Sequence, residues 1–155
     1  MSDVVSPEVR SRMMSGIKGK DTKPEMIIRK GLFRRGFRYR LHSKQLPGKP
    51  DLVLPRYQAV IFVHGCFWHQ HDCRLFKWPK SNTEFWREKI TGNVQRDKRD
   101  YQKLDNADWR ILVVWECAMK GKSDQDIEKV LDKISHWLLT DKNNEEISEG
   151  NMHGI

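Results

Sequence analysis

The chain has 155 residues, 37% of them hydrophobic, enough for one compact domain but too little for two independently stable cores. No run of about 18 apolar residues occurs, and no apolar stretch follows a basic N-terminus, so neither a transmembrane helix nor a secretory leader is expected, and a cytoplasmic protein is. Net charge is +8, and residues 1–50 alone carry 13 Lys and Arg against 4 Asp and Glu; cations clustered this way suit a nucleic-acid partner, because each phosphate they neutralise releases condensed counterions, and the plain alternative is a solvated basic face.

In chain order, "SPEVRSRMM" opens with Ser6 as N-cap and Pro7 at the first helical position, predicting a helix with a basic exposed side. "TKPE" starts a second helix with a Thr22/Glu25 capping-box pattern, and Gly36 ends it. "FRYRL", "DLVLP", "AVIFVHG" and "WRILVVWE" are apolar or alternating and β-rich, so they read as strands of one sheet. Before the last of these, "TEFWREKITGNVQRDKRDYQKL" is a long helix expected to be disturbed at Gly92, and "SDQDIEKVLDKISHWLL" is a final amphipathic helix capped by Ser123. The expected fold is a mixed α/β sheet with helices on both faces. Residues 1–140 would form the domain, and the polar segment 141–155, which lacks periodicity, a mobile tail.

The stretch "HGCFWHQHDC" concentrates three histidines and two cysteines, and the third cysteine, Cys117, follows the last apolar strand. An odd cysteine count beside histidines suits metal binding in a reducing compartment better than disulfides. Cys66, Cys73, Cys117 and one histidine, His71 or His69, make a closed Cys₃His set of the structural zinc type; the plain alternative is three buried or unpaired thiols. A zinc with four protein ligands cannot activate water, which leaves the spare histidine for proton transfer. His64 has two readings, a catalytic group or a hydrogen-bonded surface side chain. Phe67 and Trp68, lying between presumed ligands, either project as wedges for a DNA stack, with Trp86 as a third, or cover the metal site as a small satellite core.

Three acids complete the picture. Asp51 precedes an apolar strand after a Pro-Gly turn, where a carboxylate holds Mg²⁺ in nucleases or merely caps the turn. Asp97 falls on the apolar stripe of Val94, Tyr101 and Leu104 and therefore faces inward. Glu25 shares a face with Ile28 and Leu32, although capping alone would account for it.

Taken together, "LPGKPDLVLP", "VIFVHGCFWHQHDC", "TEFWREKI", "NVQRDKRD" and "WRILVVWECA" closely resemble the very short patch repair (Vsr) DNA mismatch endonucleases. The resemblance implies a restriction-endonuclease-like fold with an embedded structural zinc. It also implies a Mg²⁺-dependent enzyme, acting as a monomer on double-stranded DNA, that nicks 5′ of the thymine in a T:G mismatch. Carried onto this sequence, Asp51 is the magnesium ligand, helped by the backbone carbonyl of residue 63. His69 is the general base, His64 and Asp97 support it, and Glu25 lies near metal-bound water. Zinc falls on Cys66, His71, Cys73 and Cys117. Phe67, Trp68 and Trp86 enter the DNA stack, and the helix around Met14 sits in the minor groove. The best-known relatives have threonine at residue 63; Val63 retains the carbonyl and lacks the hydroxyl. No acid-x-Lys follows Asp51 on the next strand, so proton work falls to histidine. The resemblance further implies a nucleoid setting, a cognate cytosine-5 methyltransferase and contact with mismatch-repair proteins. The rivals are a conventional two-strand restriction endonuclease and a non-catalytic zinc-stabilised DNA-binding module.

Overall fold

The protein is described by a computed structural model over residues 22–140 and 143–149; the expected N-terminal helix with Met14 lies outside the described residues. Helix α1 (Lys23–Arg34) begins with Pro24 in its first turn, where the missing N–H costs nothing. Thr22 makes no side-chain cap bond, and the expected capping box does not form, because the Glu25 carboxylate turns inward to His42. The C-terminus closes as a Schellman motif: the Phe37 N–H donates to the Leu32 carbonyl and the Gly36 N–H to that of Phe33, with Gly36 at φ 92°. Phe37 is thereby delivered into the core.

The sheet holds five strands in the order β1 (Arg40–Leu41), β2 (Leu52–Leu54), β3 (Ala59–His64), β4 (Arg110–Trp115) and β5 (Glu145–Ile147). β1, β2 and β3 pair antiparallel, while β3, β4 and β5 are parallel, which bears out the mixed α/β expectation. "FRYRL" contributes only Arg40 and Leu41 to β1. Central strands β3 and β4 are buried on both faces, hence their near-continuous Val, Ile and Leu. One face packs Leu52, Leu54, Ile61, Leu112 and Val114 against Ile28 and Leu32 of α1 and against Val130, Ile134 and Trp137 of helix α3 (Asp124–Thr140). The other packs Val60, Phe62, Ile111 and Val113 against Leu104 of helix α2 (Thr83–Asn106).

Helix α2 runs unbroken through Gly92, contrary to the expected disturbance; one glycine costs about 1 kcal/mol of helix propensity, which a helix of 24 residues packed on a sheet absorbs. Ser123 caps α3 as expected, its hydroxyl accepting from the Asp126 N–H at 3.2 Å. Within the expected tail, the described residues 143–149 include a strand. Glu145–Ile147 pair with β4 and bury Ile147. A strand of three residues is too short to show a period, and only its neighbour on the sheet makes it one. No helix among the described residues is long and apolar enough to cross a membrane.

Candidate active site

Because β2 and β3 are antiparallel, Asp51, just before β2, lies beside the C-terminal end of β3. Its carboxylate accepts from the Val63 N–H at 2.7 Å. Burial pushes its pKa up to about 6, and nearby Glu25 pushes the same way, against the Val63 bond, His42 and His69. Helix α1 brings Glu25 to the same place, 2% exposed, and His42 Nε2 stands 2.7 Å from its Oε2. One donor atom each from Glu25, His42 and Asp51 lies within 4.8 Å of the others. Two carboxylates and an imidazole held this close form a donor cluster that suits a divalent cation.

Next to it, His64 and His69 stack with ring centroids 3.7 Å apart and planes 18° from parallel. His69 Nδ1 lies 2.5 Å from Asp97 Oδ2, so the inward face assigned to Asp97 is occupied by an imidazole whose charge is felt at Asp51. A carboxylate on Nδ1 fixes ring orientation and tautomer, directing Nε2 away as a proton acceptor. His64 is buried, its Nε2 2.5 Å from the Tyr101 hydroxyl, so it is no surface residue. Burial, and then the charge of His69, hold it well below the usual histidine range, as the neutral ring. Burial, with the Asp97 charge adding to it, raises the Tyr101 phenol and keeps its proton available to that ring.

The cysteines converge in space. Cys66, His71, Cys73 and Cys117 place one donor each within 4.8 Å of one another, and no cysteine is in a disulfide. His71 Nδ1 lies 3.5 Å from both Cys66 Sγ and Cys117 Sγ. That is too long for a strong hydrogen bond, but it equals the separation that a tetrahedral ion with bonds of about 2.3 Å to sulfur and about 2.05 Å to nitrogen requires, about 3.5 Å. Surrounding groups support the donors. The Leu75 N–H points at Cys73 Sγ and the Glu149 N–H at Cys117 Sγ. Trp115 stacks on His71 at 4.1 Å and donates through its indole to Glu146. Burial raises the Cys66 and Cys117 thiols and lowers His71, so without a cation all stay neutral, and a cation would displace the thiol protons.

Phe67 meets Trp68 and Trp86 edge to face, and those two tilt against each other, all with ring centroids within 5.6 Å. Trp68 is buried, whereas Phe67 and Trp86 are half-buried and Phe85, beside Trp86, is exposed. Of the three, Trp68 is the covered ring and the other two border solvent.

The structure therefore brings Glu25, Asp51 and Val63 together, sets His64, His69 and Asp97 beside them, and collects the four soft donors separately. Asp97 joins His69 rather than the Asp51 group. Sequence reasoning missed His42, whose only signal was an isolated histidine between a strand and the "LPG" turn. It placed Tyr101 inward without recognising a partner for the hydroxyl.

Comparison with known proteins gives a consistent result. Residues 2–75 match the family model described as DNA mismatch endonuclease Vsr. The chain is 40% identical over 153 residues to the DNA mismatch endonuclease Vsr of Escherichia coli, covering 99% of this chain and 98% of that protein. It is 48% identical over 123 residues to the type II nicking enzyme V.NmeAIP of Neisseria meningitidis, covering 79% and 88% respectively. It is 43% identical over 134 residues to the type II nicking enzyme V.XorIIP of Xanthomonas oryzae, covering 85% and 98%.

Proposed function

Since the chain belongs to the Vsr family of DNA mismatch endonucleases and is a nuclease, we propose that it nicks one strand of double-stranded DNA, 5′ of the thymine in a T:G mismatch. Such mismatches arise when 5-methylcytosine deaminates, so a cytosine-5 methyltransferase acting on the same sites is the implied companion. Nicking, rather than a double-strand break, is supported by the names of two relatives above. In this reading residues 1–140 act as one monomeric, restriction-endonuclease-like domain on cytoplasmic, nucleoid DNA.

The observation that carries the reading is the His69–Asp97 pair set against Asp51. Asp51 and the backbone carbonyl of Val63 would hold Mg²⁺, which when bound supplies a Lewis acid for the phosphate oxygens. His69 takes a proton from the attacking water while Asp97 steadies the imidazolium that results. His64, neutral and tied to Tyr101, holds the face of His69 by stacking. Glu25 orients water at the Asp51 group. The four soft donors suit Zn²⁺, whose role is to hold the loop 66–73 rigid, so that His69 and the neighbouring aromatics keep their places. Phe67 and Trp86 border solvent and enter the stack beside the mismatch; Trp68 follows only by leaving its covered position. A T:G pair unstacks at lower cost than a matched pair, so the wedge makes cutting mismatch-dependent.

The test uses zinc-replete protein and duplexes that differ only in a T:G, T:A or C:G pair. A Mg²⁺-dependent nick in the thymine strand of the T:G duplex alone is expected, abolished by Asp51→Asn and by His69→Ala. Equal cutting of the matched duplexes, or full activity of Asp51→Asn, would overturn the proposal.

A further inference from the structure

Beside the Glu25–Asp51 carboxylates, where Arg29 also pairs with Glu25, stands a nitrogen donor that the proposed mechanism leaves without a task. His42 presents Nε2 2.7 Å from Glu25 Oε2, and its side chain is 14% exposed. Its backbone is in the left-handed region at φ 47°, unusual for a residue with a Cβ. Its own N–H is bonded to the Asp51 carbonyl at 3.1 Å. Main chain and side chain are thus tied to the two carboxylate-bearing residues separately. Donors around one octahedral cation at about 2.1 Å stand about 3 to 4.2 Å apart, close to the spread of Glu25, His42 and Asp51, all within 4.8 Å.

Building on the Asp51 cation site proposed above, we propose that His42 Nε2 is a direct ligand of that cation. Its ring proton would be carried on Nδ1 and its hydrogen bond to Glu25 exchanged for the metal. The consequence is selectivity. Hydrated oxygen donors alone suit Mg²⁺, whereas an imidazole shifts preference toward transition ions, so the site binds Mn²⁺ more tightly than Mg²⁺ by a margin that His42 sets. Metals differ here through coordination, independently of any change in the DNA.

The experiment is Mn²⁺ binding to the zinc-loaded, full-length protein without DNA, followed by calorimetry and by pulsed electron paramagnetic resonance for nitrogen-14 coupling. Wild type is expected to show imidazole nitrogen coupled to Mn²⁺. His42→Gln should abolish that coupling and weaken Mn²⁺ at least tenfold, and His69→Ala should change neither. His42→Asn, which tolerates the left-handed backbone, serves if the glutamine variant does not fold by circular dichroism. Coupling that survives in both His42 variants but vanishes in His69→Ala overturns the proposal, as does Mn²⁺ affinity unchanged within twofold. Asp51→Asn separates the two readings. If it abolishes Mn²⁺ binding while the His42 variants bind like wild type, only the His42 assignment fails; if it leaves binding intact, the Asp51 site itself fails.

Discussion

Replacing Asp97 with asparagine removes a charge from the His69–Asp97 pair while keeping its shape. As His69 takes a proton it becomes a cation whose charge centre is about 4 Å from the carboxylate, an attraction of about 4 kcal/mol at an effective dielectric of about 20. That equals about three decades of rate. Both side chains are about one-fifth exposed, 21% and 22%, so solvent screening reduces the electrostatic part to about two decades. Asparagine adds a second injury, because its amide donates to Nδ1 and favours the tautomer whose Nε2 already carries a proton. The expected loss in single-turnover nicking of a T:G duplex is therefore about 100- to 1,000-fold, read on strand-separating gels, with DNA binding unchanged. In a His69→Ala background, Asp97→Asn should add almost nothing, since both act through one ring. An Asp97→Asn enzyme within threefold of wild type, or losses that multiply in the double variant, would refute the pairing.

Three further outcomes follow from the same geometry. Asp51 has its pKa raised from 3.8 to about 6, so the native state holds that proton more tightly than the unfolded chain. The resulting stability is present below about pH 4 and lost as pH rises through about 6, an order of 2–3 kcal/mol. Metal-free Asp51→Asn should thus melt higher than wild type at pH 7.5, the gap closing by about pH 4; a gap independent of pH contradicts the burial of this carboxylate. Cys117→Ser should lose one equivalent of zinc by elemental analysis and unfold at lower temperature, and chelated wild type should resemble it; equal zinc in both proteins contradicts the four-donor site. A methyl group on Gly31 would overlap the Leu131 side chain where α1 meets α3, so Gly31→Ala should destabilise by about 1–3 kcal/mol in urea unfolding, despite a helix-propensity gain of about 1 kcal/mol.

Much of this was legible in the chain because it depends on local periodicity and chemistry. The apolar runs of β3 and β4 announce strands covered on both sides, Ser123 and Gly36 mark helix ends, and Asp97 on the stripe of Val94, Tyr101 and Leu104 must look inward whatever the fold. The crowding of Cys66, His71 and Cys73 similarly limits what that loop can do. Misreadings arose where a nearby explanation sufficed on its own. Glu25 fitted a capping box, yet a partner 17 residues away in sequence outbid the helix end. Gly92 looked like a break, yet packing carries α2 through it.

Sequence alone determined the inventory: the types of the longer elements, the soft and hard donors, and the basic charge that favours phosphate. Only tertiary structure decided which donors share a point in space. The antiparallel turn from β2 to β3 brings Asp51 to Val63, and the parallel register of β3 and β4 carries Cys117 to Cys66. α2 spans between them with Asp97 against His69 and Tyr101 against His64. Strand β5 shows the same division, since three polar-flanked residues have no period of their own and became a strand because the open edge of β4 offered hydrogen bonds. The physical reason is range: propensity and capping act over a few residues, whereas a site is a set of distances between side chains that the chain places far apart and the sheet brings together.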